Sequence, residues 1–231
     1  MVHELGEKHL RLDRRTLPAQ RAGAIAYLVA AEYFVGEQVA AAAWSTPPYS
    51  WTANYISDLG LTMCSQTLCS PRHAAMNGGL FVLGIVIILG SWLLRDRLFA
   101  GRLGRSALLL MLISGVGDVM LALFPGTVET DANGADLMHV MGAVFAIVGG
   151  NAGILLCGAA LALAHRDRVL AGYSLISGAT GLVALALFAS EIDLGLGIGG
   201  IERVAANPVV IWMVVVGAYT LTQLRSAADE P

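Results

Sequence analysis

The stretch SALLLMLISGVGDVMLALF (residues 106–124) is long and apolar enough to cross a membrane, yet it carries a carboxylate, Asp118. A membrane-spanning helix needs about 20 mostly apolar residues. An ionisable side chain is costly in hydrocarbon, so it usually faces the protein interior and marks a functional site. The stretch therefore predicts a transmembrane helix with Asp118 turned inward. Glu32 and Glu37 lie in another apolar segment of this kind.

The composition of the whole chain agrees with this stretch. Its 231 residues are 56% hydrophobic and 13% charged, and the mean hydropathy is +0.69. This balance is typical of polytopic membrane proteins. The net charge of −3 indicates no nucleic-acid partner. We predict an all-α protein whose six transmembrane helices form one bundle, at residues 22–44, 74–94, 106–124, 138–164, 169–190 and 208–224.

The arginines and lysines predict the orientation. Twelve of the fourteen lie in the tails and connections of one side, whereas Arg72 and Arg203 lie on the other. Cytoplasmic segments carry the excess of basic residues. We therefore expect a multi-pass protein of the cell inner (plasma) membrane with both termini cytoplasmic. Residues 1–21 and 225–231 would be cytoplasmic tails, and residues 22–224 the transmembrane domain with an outer loop at 45–73.

The outer loop contains CSQTLC, residues 64–69. Because this side faces an oxidising compartment, Cys64 and Cys69 are expected to form a disulfide, with a metal pair as the alternative. The loop is also rich in aromatic side chains, which either mark the lipid–water boundary or line the mouth of a cavity. They are Trp44, Tyr49, Trp51 and Tyr55. Ser70–Pro71 and Asn207–Pro208 predict the starts of the second and sixth helices.

Polar residues of several spans share one depth, just beneath the outer surface. They are Glu37, Asn77, Asp118 and His139, and Asn54, Ser57 and Asp58 of the loop could fold over them. Glu32 lies deeper than Glu37. The five positions between the two correspond to about 140° of rotation on a helix, so at most one belongs to this cluster, and we favour Glu37.

Such a cluster has several alternative interpretations. An enzyme would use Asp118, His139 and Glu37 in acid–base catalysis. A divalent metal would take His73, His139, Asp58 and Asp118, although no HxxH-type spacing supports one. Proton-coupled transport would use Glu32, Glu37 and Asp118. The residues could also simply bond one another and hold the bundle together. A ligand site would be lined by Ser57, Asp58, Asn54, Asn77, Trp51 and Tyr55. The sequence identifies no cofactor.

The order of short motifs resembles a known family. YSWTANYISDLG (residues 49–60), FPG (124–126) and HVMGA (139–143) follow one another as in the bacterial and archaeal membrane family catalogued as domain of unknown function 998. That family is similar in plan to the six-helix Frag1/DRAM/Sfk1-like proteins. The resemblance implies a fold and a topology but no activity. It implies Ser57, Asp58, Asp118 and His139 as site residues.

A more remote likeness concerns hydrolases. Ser, Asp and His at membrane boundaries look like the superfamily of alkaline ceramidases and adiponectin receptors, but the chain lacks that superfamily's late HxxxH pair. Small integral-membrane terpene cyclases share only size and buried carboxylates with this chain.

Our leading hypothesis is a protein that binds a lipid or an amphipathic small molecule in an outward-facing polar intramembrane pocket. The first alternative is a membrane-embedded enzyme: an acid–base or metal-assisted hydrolase, or a cyclase acting on a lipid or isoprenoid substrate. The second is a proton-coupled transporter. Membrane lipids are the expected partners, and stripes of small residues would also suit a homo-oligomer.

Overall fold

The computed structural model describes residues 16–45, 47–65, 68–126 and 134–229. This described part is all-helical, without a β-strand. Its helices are α1 (Leu17–Val29), α2 (Glu32–Ala43), α3 (His73–Leu93), α4 (Arg95–Leu98), α5 (Gly101–Leu123), α6 (Ala135–Val144), α7 (Gly150–Leu163), α8 (Arg168–Ala189) and α9 (Ile198–Asp229). Five helices of the described residues are long and apolar enough to cross a membrane: α3, α5, α6 continued through α7, α8 and α9.

The predicted first span, residues 22–44, corresponds to two shorter helices, neither of which is among the five long enough to cross a membrane. Between α1 and α2 the backbone tightens, and Ala31 N–H donates to Leu28 O (3.1 Å) in an i→i+3 bond. Both helices pack along α3. Gly23 lies against Leu93 and Leu94, and Gly36 lies against Ala75. The α1–α2 pair thus runs antiparallel to α3 over nearly its whole length. Helix begins at Leu17, within the stretch predicted as a tail, and residues 1–15 lie outside the described part.

The predicted fourth span is one continuous helix with a π turn in its middle. The turn, Phe145–Gly149, joins α6 to α7. A π turn disturbs the backbone hydrogen-bond ladder. Two of its carbonyls are taken by neighbouring side chains: Ser114 Oγ donates to Ala146 O (2.9 Å) and Asn151 Nδ2 to Ile147 O (2.9 Å). The same Asn151 amide also donates to Ala205 O of α9 (2.8 Å), so it ties three segments together.

Both predicted helix starts that rested on proline are wrong. The last helix begins at Ile198, and Pro208 lies inside it. Interior proline is tolerated in membrane helices because neighbouring groups satisfy the freed carbonyls. The second predicted span begins at His73 rather than after Ser70, whose hydroxyl donates to Leu59 O (2.6 Å). Glu202 and Arg203 therefore belong to α9 and not to an outer connection.

The helices pack in chain order, and α9 closes the arrangement against α1. Glycines allow the closest approach between α3 and α5, where a Cβ on Gly115 would lie 2.7 Å from Gly84 O. The loop from Trp44 to Arg72 covers one end of the bundle, called the loop end below. Asn77 Nδ2 fastens it there by donating to Gly60 O (3.0 Å). Cys64 and Cys69 form a disulfide in this loop, which confirms the prediction.

Candidate functional site

A cavity of about 450 Å³ lies inside the bundle at the loop end. Its walls come from α2, α3, α5, α6 with the π turn, α8 and α9, and its roof from residues 55–60. Most of the lining is apolar, and this volume is typical of small-molecule sites. The polar side chains in the lining are Tyr33, Tyr55, Ser57, Asn77, Ser114, Asp118, His139 and Glu202.

Asp118 is the buried carboxyl of this cavity. It lies on α5 one turn beyond Ser114, and it is 6% exposed. The cost of an ionisable side chain in hydrocarbon predicted this inward position. Within the described part of the chain, its carboxyl makes no hydrogen bond and no ion pair with the protein. Buried carboxyls are normally paired because leaving one without a partner is costly. The Asp118 carboxyl, which has no hydrogen-bond partner among the described residues, therefore faces the cavity.

His139 lines the same cavity from the second turn of α6. Its Nδ1 lies 3.0 Å from Phe124 O. A carbonyl oxygen only accepts, so Nδ1 must donate the proton in this bond. In the neutral ring, Nε2 then has no proton and is a hydrogen-bond acceptor. The structure thus assigns the tautomer of His139 and leaves its second nitrogen available.

Beside the cavity, Arg203 of α9 holds the loop to the bundle. Its Nε donates to Glu37 Oε1 (3.0 Å), its Nη1 to Gly199 O (2.9 Å) and Trp51 O (3.0 Å), and its Nη2 to Tyr49 Oη (2.6 Å). The guanidinium also lies 4.7 Å from the centre of the Trp51 ring. We call Arg203, Glu37, Tyr49 and Trp51 the arginine clamp. Burial raises the pKa of Tyr49 to about 12, so this phenol stays protonated and accepts from Arg203.

Two further contacts join the same loop to α9. Glu202 Oε2 accepts from Ile56 N–H (2.5 Å), and Gly199 N–H donates to Thr52 O (2.9 Å). Gly197 has a positive φ of +74°, and added Cβ atoms at Gly197 or Gly199 would collide with the loop backbone. Because Gly197 and Gly199 have no side chain, the loop can lie directly against the start of α9. This contact places residues 55–60 over the cavity.

Asp58 and Asn54 shape the loop from within. Asp58 Oδ2 accepts from Tyr55 N–H (2.9 Å) and from Asn54 Nδ2 (3.4 Å), and Asn54 Oδ1 accepts from Ser50 N–H (3.0 Å). Burial raises the pKa of the Asp58 carboxyl, although the bonds to Tyr55 and Asn54 oppose that rise. Neither residue lines the cavity. Their side chains instead bond the loop backbone at Ser50 and Tyr55.

The family described as "Protein of unknown function (DUF998)" matches residues 22–219. The chain belongs to this family. The match confirms the resemblance carried by the ISDLG and His139 motifs. Comparison with curated proteins and with solved structures gives no significant match.

In this DUF998 protein, the structure brings some of the predicted site residues together and separates others. Those that line the cavity are Tyr55, Ser57, Asn77, Asp118 and His139. Those that lie beside it, in the arginine clamp or within the loop, are Glu37, Trp51, Asn54 and Asp58. The ligand site of the prediction thus divides into a cavity and the structure that roofs it.

The residues of the metal alternative are not grouped. Throughout the described ranges, no three His, Cys, Asp or Glu side chains come close enough to hold an ion. His73 Nδ1 instead lies 3.0 Å from Ser70 O. Neither Glu32 nor Glu37 lines the cavity. The Glu32 Oε1 atom is buried and has no hydrogen-bond partner among the described residues.

Sequence reasoning missed Tyr33, Glu202 and Arg203. A sixth span that starts at Pro208 places both charged residues in an outer connection, whereas they lie in α9. One signal was available: an arginine on the outer side is unusual in this chain, and Glu37 lies at the matching depth on the first span. Opposite charges at one depth indicate a pair. Tyr33 had no comparable signal, since an aromatic ring in a membrane span usually only packs.

Proposed function

We propose that this DUF998 protein binds a lipid or another amphipathic small molecule in the cavity beneath residues 55–60. The observation that carries the proposal is Asp118, 6% exposed, turned into a mainly apolar cavity of about 450 Å³ and without a partner in the described chain. The apolar walls suit a hydrocarbon chain, and the few polar groups suit a head group.

The contrast with Glu37 supports a ligand rather than a purely structural role. Glu37 is 3% exposed and pairs with Arg203, as expected for a carboxyl that stabilises a fold. Asp118 is buried to a similar extent but has nothing of that kind in the described residues. A hydrogen-bond donor brought by a ligand would complete its environment.

Native mass spectrometry of the full chain, extracted in a mild nonionic detergent, tests the proposal. The wild-type protein should retain a bound amphiphile of defined mass. Ala143→Phe fills the cavity from α6 and should remove it, whereas Ala179→Phe on an exposed face of α8 should not. Equal retention by both variants would show that the adducts are lipids on the outer surface, and the proposal would fail.

A second candidate is acid–base chemistry on the bound molecule. It is favoured by one observation: His139 has Nδ1 engaged with Phe124 O and Nε2 available in the cavity that Asp118 lines. An imidazole and a carboxyl that line one cavity suit acid–base work on a molecule bound between them. His139→Gln should then keep the ligand but stop its conversion, so the mutant would carry a species of different mass from the wild type. Identical bound species in both proteins would exclude this candidate.

Proton-coupled transport has less support, because Glu37 is held in an ion pair with Arg203 (3.0 Å). The remaining carboxyls of that hypothesis, Glu32 and Asp118, face different surroundings.

The proposal includes the membrane topology. Since α1 and α2 together run along α3 from Leu94 to Ala75, they cover the same depth as a helix that can itself span the membrane. This supports a sixth crossing. With the basic residues on the cytoplasmic side, both termini are then inside, the membrane is the inner (plasma) membrane, and the cavity opens toward the outer leaflet.

A further inference from the structure

The charged groups around the cavity are unbalanced in sign. Asp118 and Glu202 line it, and the lining contains no Lys or Arg. Glu37 and Asp58 lie just outside. Within the described part of the loop end, Arg203 is the close basic neighbour of Glu37, Asp58 and Glu202 but not of Asp118. A ligand that enters this cavity therefore meets carboxyl groups and no Lys or Arg side chain.

Arg203 cannot serve an anionic ligand in this arrangement. Its Nε is bound to Glu37, its Nη1 to Trp51 O and Gly199 O, and its Nη2 to Tyr49 Oη. All three nitrogens thus already donate to the protein. A phosphate or carboxylate head group needs such donors in a buried site, and it would lie beside the Asp118 and Glu202 carboxyls without a cation.

We infer that the ligand is an amphipathic amine, whose ammonium group pairs with Asp118 while its hydrocarbon chain fills the apolar part of the cavity. This inference rests on the proposed function and adds the chemical class of the ligand. An ammonium group supplies both the missing positive charge and up to three hydrogen-bond donors. A hydroxyl group supplies one donor and no charge.

Aromatic rings in the lining support the same class. Tyr33, Tyr55 and Phe188 all border the cavity, and the rings of Tyr55 and Phe188 meet edge to face with 6.0 Å between their centres. The faces of aromatic rings attract ammonium groups, more strongly when water is excluded. Apolar walls, aromatic rings and a carboxyl without a partner among the described residues together form a site that favours a cation with a hydrocarbon chain over a neutral or anionic amphiphile.

The inference is tested by calorimetric titration of the detergent-solubilised full chain at neutral pH with decylamine, decanol and decanoate. The three probes share a chain and differ in head group. Decylamine should bind roughly tenfold or more tightly than the other two, as charge-assisted hydrogen bonds are about twice as strong as neutral ones. Asp118→Asn should remove this preference. Glu191→Gln, which removes an exposed carboxylate at the same end, should leave it unchanged.

The possible outcomes separate the amine class of the ligand from ligand binding itself. Equal binding of all three probes, abolished by Ala143→Phe, would overturn the amine class and leave ligand binding in place. Binding of all probes that neither Ala143→Phe nor Ala206→Leu reduces would overturn both, because these substitutions fill the cavity from α6 and α9. The ranking of probes on the wild-type protein needs no variant, so it decides the class even if a substitution prevents folding.

Discussion

Glu37 and Asp118 have nearly the same burial, with 3% and 6% of their surfaces exposed, but opposite surroundings. Glu37 meets a guanidinium at 3.0 Å, and Asp118 meets a cavity. Burial of a charge is tolerable when a partner and hydrogen bonds compensate it. The Arg203 partner therefore distinguishes Glu37, which stabilises the fold, from Asp118, which is available to a ligand.

The arginine clamp should make a large contribution to stability. Replacing Arg203 by Gln leaves the Glu37 carboxyl, 4% exposed as a side chain, without a countercharge. Removing one partner of a buried ion pair costs about 3–5 kcal/mol. The free energy of unfolding of Arg203→Gln, measured by denaturant titration in mixed micelles, should fall by an amount in that range.

A double-mutant cycle separates the pair from the other bonds of Arg203. The double variant Glu37→Gln/Arg203→Gln should lose less stability than the sum of the two single variants, because the lone buried charge is then gone. Arg72→Gln, an exposed arginine at the same end, should change little. Additive single effects would contradict the assigned pair.

Among the helices, irregular segments lie close to the cavity. The π turn at Phe145–Gly149 contributes Ala146 and Ile147 to the lining, and the proline-containing part of α9 contributes Ala206 and Val209. Such departures from α-helical bonding are common at functional sites. Here they open space between helices that are tightly packed elsewhere, as at the crossing of α3 and α5.

The crossing of α3 and α5 leads to a prediction for two glycines of α3, Gly84 and Gly78. Gly84→Ala places a Cβ within 2.5 Å of Gly115 O and must separate α3 from α5. Overpacking of this kind costs about 1–3 kcal/mol, and the unfolding midpoint should fall accordingly. Gly78→Ala, on the same helix, meets nothing within 4 Å, so it should instead raise stability by about 0.5 kcal/mol through the lower entropy of the unfolded chain. Equal effects of the two substitutions would show that the crossing is not close-packed.

Labelling of the native cysteines tests how the whole molecule is oriented in the membrane. Cys64 and Cys69 are joined at the loop end, and Cys157 is fully buried in α7. If the loop end faces outward, a membrane-impermeant maleimide should label intact spheroplasts only after mild reduction, and at the two loop cysteines. Cys157 should stay unlabelled until the protein is denatured. Labelling that requires lysed membranes would reverse the proposed orientation.

Local features of the chain were sufficient to predict most of its architecture. The spans at α3, α5, α6–α7 and α8 follow from apolar length, because hydrocarbon thickness sets that length irrespective of neighbours. The inward position of Asp118 follows from the cost of a carboxyl in lipid. The start of α9 could not be predicted in this way. Whether Pro208 ends a helix or lies within one depends on what surrounds it.

By itself, then, the sequence determined an all-helical membrane protein of the DUF998 family and the Cys64–Cys69 disulfide, and it predicted a common depth for several polar residues. The depth of a residue in the membrane depends on its position along its own span, so one segment is enough to predict it. The tertiary structure alone decided which of those residues meet, because that depends on the rotation of each helix and the path of the loop. It paired Glu37 with Arg203, 166 positions apart. It also turned Asp118 into the cavity beneath residues 55–60.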